Sequence, residues 1–264
     1  MSWSLRVYWK NIMYKYTMRF FIIPFRGREE QREVFLNHMN VILKGTQPYM
    51  FIFVHQKDKR TFNRGAMKNI GFLYVREKFP EIYKKSTFIF HDIDFVPYKR
   101  GLFSYDTRSG VVNHFFGFKF ALGGIFAIKG ADFEKIKGFP NYWGWGYEDN
   151  KFQKNWRTSG GKINYNEFIS IRDKQVISFD TYNFTRTYNR KNPGYNKYNN
   201  KSNFSTIQNL QYVENDFRLS SKIIDVVHFE TEEKEEKQVY VKNTIPPQKQ
   251  RPRKLSFMSE IFNH

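Results

Sequence analysis

Between residues 18 and 91, short apolar runs alternate with longer amphipathic ones, and this alternation constrains the fold more than any other feature. "MRFFIIPF" reads as a buried strand ending at Pro24, followed by a polar, glycine-containing turn. "EEQREVFLNHMNVILKG" places Val34, Phe35, Met39, Val41, Ile42 and Leu43 along a helix closed by Gly45. "YMFIFVHQ" is a second strand, "NRGAMKNIGFLYVREKFP" a second helix ending before Pro80, and "STFIFHD" a third strand. Strand, helix, strand, helix, strand argues for an α/β sheet of mostly parallel strands. Ligands of such sheets sit at the carboxyl ends of strands.

The pattern continues less regularly. "FKFALGGIFAIKG" is an apolar strand pair with paired glycines inside it, a sign of close backbone or ligand approach. "DFEKIKGF" is a short helix, and "PNYWGWGYEDNKFQKNWRTSGG" an aromatic-glycine loop leading into another. Residues 162–185 read as further strands, 186–206 as a loop, and "LQYVEND" and "KIIDVVHFE" as late strands. The chain thus divides into an extension (1–17), one domain (18–230) and a charged, proline-rich tail (231–264).

Composition bounds the function. With 40% hydrophobic and 19% aromatic residues, a chain of 264 residues can bury a real core. A net charge of +19 suits nucleic acid, an acidic membrane surface or a phosphate-bearing small molecule, or reflects solvated lysines alone. No nucleic-acid-binding motif accompanies the charge, so no nucleic-acid partner is expected. The absence of cysteine excludes disulfides and thiolate metal sites and leans towards a reducing compartment. The basic, aromatic N-terminus does not read as a signal peptide, and no apolar run reaches the roughly 18 residues of a membrane span. A cytoplasmic location is the expectation.

Three features carry chemistry. Asp92 and Asp94 close the third strand with Ile93 between them, and residues two apart on a strand share a face. Two adjacent carboxylates are costly without a cation or strong donors between them, although aspartates also serve plain turns. Trp143 and Trp145, interleaved with Gly144 and Gly146, suit a lid over a sugar or base as well as a core anchor. Glu148 and Asp149 follow at a helix start, where the helix dipole favours the ionised form and where plain end-charge pairing is the alternative.

Together, "FIIPFRGREE", "FNRGAMKNIGF", "FHDIDFVP", "GGIFAI" and "KGFPNYWGWGYEDN" resemble the β-1,4-galactosyltransferase family, in this order and over residues 19–160. The resemblance implies a GT-A fold, a Rossmann-like mixed sheet flanked by helices. It implies an inverting enzyme moving galactose, or N-acetylgalactosamine, from a UDP-sugar to a glycan hydroxyl, with Mn2+ or Mg2+. A GT-A protein that binds nucleotide sugar or glycan with little turnover is the alternative. Pro24, Phe25, Arg26 and Arg28 match the loop holding uridine and phosphates; Phe62, Asn63 and Arg64 match the second nucleotide motif. Asp94 matches the metal ligand, Asp92 its donor-contacting neighbour, and Gly124 the donor-contacting strand. Trp145 matches the closing loop, and Glu148 and Asp149 the acceptor-site acids, with Asp149 as general base.

The chain departs from the family at four points. Arg186 stands where the family places a further metal-ligating histidine, leaving His228 as a candidate ligand or a packed strand histidine. Tyr147 replaces a common glycine, Ala121 replaces a larger residue that separates galactose from N-acetylgalactosamine, and the family's anchor and disulfides are missing. That last departure suits a soluble viral or microbial member.

Overall fold

The computed structural model describes residues 17–179, 186–188, 202–218, 220–232, 235 and 239–241. β1 (Arg19–Phe25), α1 (Glu29–Ile42), β2 (Tyr49–Gln56), α2 (Arg64–Lys78) and β3 (Thr87–His91) follow in the expected order. β1 pairs in parallel with β2 on one side and β3 on the other. Every residue of β1 and β3 is buried, because helices and loops cover the sheet on both faces.

Strand alternation builds two cores from one sheet. Phe20, Ile22, Ile52, Val54, Phe88 and Phe90 face α2 with its Met67 and Ile70. Phe21, Ile23, Phe25, Phe51, Phe53 and Ile89 face α1 with its Phe35, Leu36 and Met39. Each such side chain contributes about 1.5–3 kcal/mol on burial. The β1–β3 ladder stops at Ile22, two residues before Pro24, so the proline's missing N–H costs that pair nothing.

The chain continues through β4 (Phe95–Pro97), β5 (Val111–Phe118), β6 (Ala121–Lys129), α3 (Gly130–Lys135) and α4 (Glu148–Thr158). It ends with β7 (Lys162–Asn164), β8 (Ile169–Ser170), β9 (Val176–Ser178), β10 (Arg186–Tyr188), β11 (Gln208–Phe217), β12 (Ser221–Glu230) and β13 (Val239–Val241). The main sheet runs β11-β12-β2-β1-β3-β6-β5-β7, with β8 on β5. β12 is parallel to β2, whereas β6 is antiparallel to β3, so the sheet is mixed. Because β1 leads to β2 on one side and β3 lies on the other, the topological switch falls at the carboxyl ends of β1 and β3.

Two boundaries differ from expectation. β10, within the stretch read as a loop, pairs with β13, within the stretch read as a tail. Glu235 Oε1 also accepts from the Thr61 N–H and hydroxyl at 2.7 Å each. Among the described residues beyond 230, Glu235 is thus held against the loop before α2. Among the described residues, no helix is long and apolar enough to cross a membrane.

Candidate active site

The site begins with a lock between two loops. Asn63 caps α2, its Oδ1 accepting from the Ala66 N–H at 2.9 Å. Its Nδ2 donates to the Asn141 carbonyl at 2.9 Å, and its own N–H donates to Gln56 Oε1 at 2.8 Å. Asn69, further along α2, donates to the Phe139 carbonyl at 2.8 Å and to Asn141 Oδ1 at 2.9 Å. The Gly144 N–H reaches the Phe62 carbonyl at 3.1 Å. Gly65 permits this approach: a Cβ there would lie 2.1 Å from the Pro140 carbonyl oxygen. "FNRG" and "FPNYWG" are thus two halves of one buried polar seam. Phe62, half-buried, packs against the α2-side core beside it.

This seam aims Arg64 into the crevice. Its Nη1 donates to Asp92 Oδ2 at 2.9 Å, its Nε to Glu148 Oε1 at 2.8 Å, and its Nη2 to Asp149 Oδ2. One guanidinium joins Asp92, which follows β3, to both acids at the start of α4. One turn along α2, Lys68 Nζ donates to Asp149 Oδ1 at 2.8 Å. Burial pushes the Glu148 carboxyl up, against Arg64, and not down as the helix-dipole argument implied. Burial also acts to raise Asp149, but Arg64 and Lys68 outweigh it and hold the carboxyl below its ordinary value. Burial acts to lower the Arg64 guanidinium, yet Asp149, Asp92 and Glu148 prevail and keep it charged.

The two aspartates after β3 are oriented by a turn and not by strand alternation, which corrects the sequence argument. β3 stops at His91, the Asp92 N–H donates to the Gly124 carbonyl at 2.9 Å, and Phe95 N–H points back to the Asp92 carbonyl at 3.4 Å. Ile93 is buried between the two acids. Asp94 faces Arg28 at 3.3 Å, while Asp92 turns to Arg64. The second oxygen of Asp92 is buried without a hydrogen-bond partner among the described residues, a polar atom left for a ligand to satisfy. Pro24 is buried, Phe25 stacks on His55 at 4.5 Å, and half-buried Arg26 extends the same strand end.

The donor set suits a hard cation shared with a substrate. Asp94 is a carboxylate at the crevice mouth, its side chain 27% exposed and facing a cationic arginine. Among the described residues, no group of three His, Cys, Asp or Glu could hold a metal by protein ligands alone. Magnesium-type sites take one or two carboxylates and complete the shell with phosphate oxygens and water. The structure does not bring His228 to this place. His228 lies on β12, separated from β3 by β2 and β1, three strand spacings or roughly 14 Å. It is half-buried and faces Glu230 at 3.5 Å, so the ligand reading for His228 is withdrawn. The side chain of Arg186 lies outside the described residues.

The glycine–tryptophan loop buries one of its tryptophans and exposes the other. Trp143 is buried, stacked on Phe229 at 5.3 Å, with the Arg60 guanidinium 4.6 Å from its ring. Trp145 is 44% exposed, its ring 5.5 Å from the Arg64 guanidinium carbon. Gly144 and Gly146, at φ +84° and +119°, flank it in backbone that other residues avoid. Of the paired glycines, Gly124 sits at φ +71°, where a Cβ would lie 2.4 Å from the Phe116 carbonyl oxygen. Gly123 lies directly beneath Asp149, where a Cβ would meet Oδ2 at 2.3 Å. His114 shares its Nε2–H between the carbonyls of Gly123 at 3.0 Å and Phe116 at 3.1 Å, fixing this strand pair.

Lys68 and His114 escaped the sequence reading, whereas Gly123 was read as one of two glycines marking a close approach, without the group that approaches it. Lys68 had a signal: it stands four residues after Arg64, a second cation on the same face, in a stretch (64–75) with no other charged residue. Two like charges in that position call for acids from elsewhere in the fold.

Comparison with known proteins settles the lineage. The model of the N-terminal region of glycosyl transferase group 7 matches residues 14–104, and that of the N-terminal domain of galactosyltransferase matches residues 113–178. The chain belongs to the glycosyl transferase group 7 family. Within it, β-1,4-galactosyltransferase 2 of Cricetulus griseus is 32% identical over 203 residues, 72% of this chain and 50% of that protein. β-1,4-galactosyltransferase 7 of Drosophila melanogaster is 28% identical over 171 residues, 60% of this chain and 50% of that protein. The chain spans about half the length of the curated relatives it matches. The catalytic domain of Drosophila β1,4-galactosyltransferase 7, crystallised with xylobiose, superposes with a TM-score of 0.69 at 21% identity, covering 80% of this chain and 94% of that one. A mutant of that enzyme with manganese, UDP-Gal and xylobiose gives a TM-score of 0.67. The fold is therefore GT-A.

Proposed function

We propose that this chain transfers galactose from UDP-galactose to a glycan hydroxyl, inverting the anomeric centre, with manganese or magnesium bound at Asp94. The observation that carries this reading is the Arg64 guanidinium, which joins Asp92 on the donor side to Glu148 and Asp149 on the acceptor side. Acids gathered on one guanidinium lie close enough to act on the same substrate.

Asp94 would hold the cation, which would supply Lewis-acid stabilisation of the departing UDP. Arg26 and Arg28 add positive charge at the strand end where the diphosphate would lie. Asp92 offers its unsatisfied oxygen to a donor hydroxyl. Asp149 takes the proton of the attacking hydroxyl, a step worth about 10²–10⁴-fold. Both of its oxygens are engaged at rest, one by Arg64 and one by Lys68, so the Arg64 contact must yield before an acceptor hydroxyl can enter. Trp145, hinged on Gly144 and Gly146, closes over the ring and excludes water.

Small, buried Ala121 favours a second donor, UDP-N-acetylgalactosamine, because nothing bulky at that position opposes an acetamido group. The fly enzyme's complexes with xylobiose make xylose-ended glycans the first acceptors to try. The test is UDP release from a panel of UDP-sugars with Mn2+ and candidate acceptors. Release that disappears in Asp149→Asn supports transfer; UDP-sugar binding with no release from the wild-type chain overturns it in favour of a binding protein.

A further inference from the structure

Lys68 is a lysine buried to 1% exposure, with its ammonium 4.5 Å from the centroid of the Phe139 ring. Phe139 itself stacks on Phe152 at 4.1 Å, so the surroundings are apolar. A buried cation persists only with an anionic partner, and that partner is Asp149 Oδ1 at 2.8 Å. Gly123 supports the other oxygen, Oδ2, from below. The groups facing this carboxylate are Arg64 and Lys68 from α2, Glu148 from its own helix, and His114 from β5 through space, with Asp92 reaching it through Arg64.

We propose that Lys68 is a positioning residue for the base: it pins the Asp149 carboxylate by Oδ1, keeps it ionised when Arg64 yields, and leaves Oδ2 for the acceptor hydroxyl. This rests on the reading of Asp149 as general base. Away from bulk water the coupling between the two charges is weakly screened, so a single cation is enough to hold the proton off. Arg64 alone cannot do this, because its fork is divided among three acids and serves the donor side as well.

The experiment compares wild type with Lys68→Met and Lys68→Arg. Carboxyl titration of the metal-free, ¹³C-aspartate-labelled chain is followed by NMR, with the Asp149 signal assigned by its loss in Asp149→Asn. In Lys68→Met the Asp149 carboxyl takes its proton at higher pH than in wild type, and kcat/KM on the acid side falls roughly tenfold or more relative to the plateau. Lys68→Arg restores both. An Asp149 titration identical in Lys68→Met and wild type overturns the inference; Lys68→Gln carries the same comparison if the Met variant does not fold. A wild-type chain that transfers no sugar defeats the enzymatic reading, while the titration still decides whether Lys68 controls the carboxylate.

Discussion

A methyl group on Gly123 would lie 2.3 Å from Asp149 Oδ2, so the position of that carboxylate depends on a missing side chain. Gly123→Ala should displace that carboxylate and lower kcat by about 10²-fold, the scale of an ångström-sized misplacement, as read by initial rates. Tyr147 adopts φ +70° immediately before α4, where the family commonly carries glycine. That left-handed backbone costs about 1–2 kcal/mol in a side-chain-bearing residue, so Tyr147→Gly should raise Tm or leave it unchanged. His91 is fully buried, its Nδ1–H donating to the Asp92 carbonyl at 2.9 Å, and burial pushes it down from 6.5 to about 4. The folded chain therefore binds this proton later than the unfolded chain does. The stability from a neutral His91 is complete above about pH 6.5 and is lost progressively down to about pH 4, roughly 3 kcal/mol in all. Thermal melts across that range should show a shallower acid loss in His91→Phe. Arg64, Asp92, Glu148 and Asp149 were legible because local motifs carry them. Lys68 was not, nor was the partner of Gly123, whose close approach the paired glycines did signal: what each touches comes from α4, and the chain pattern gives no distances.

At the scale of elements, function depends on the seam between the start of α2 and the loop before α4. Asn63→Ala removes a helix cap, worth about 0.5–2 kcal/mol, and also strands the Asn141 carbonyl, so its melting temperature should fall and its transfer rate with it. The two tryptophans should behave oppositely. Trp143→Ala hollows the packing on Phe229 and should cost about 3–5 kcal/mol. Trp145→Ala should leave Tm nearly unchanged while raising donor hydrolysis relative to transfer, measured as UDP released per sugar transferred. The strand–helix alternation of the first hundred residues was readable because each element's apolar period is strong. The orientation of Asp92 and Asp94 was not, because a turn following β3 overrides the strand period that the sequence suggested.

Across the whole molecule, the parallel order β12-β2-β1-β3 lines several strand ends along one edge and puts the switch point between Arg28 and Asp94. β12 joins β2 from more than 160 residues away in the chain, as Ile224 pairs with Val54. No local period announces such a pairing, which is why His228 could be considered for a metal that the sheet keeps it from reaching. With a cation held at Asp94 as proposed, and no group of three His, Cys, Asp or Glu among the described residues to hold one by itself, chelation should abolish transfer yet leave the melting temperature of the unliganded chain almost unchanged. The central claim is that donor-side and acceptor-side acids serve one sugar ring. The most direct measurement is UDP release with UDP-galactose, Mn2+ and acceptor, by wild type and by Asp149→Asn, with UDP binding measured in parallel. The account predicts equal binding and a release rate at least about 10²-fold lower in the variant. Equal release by the two proteins would contradict it.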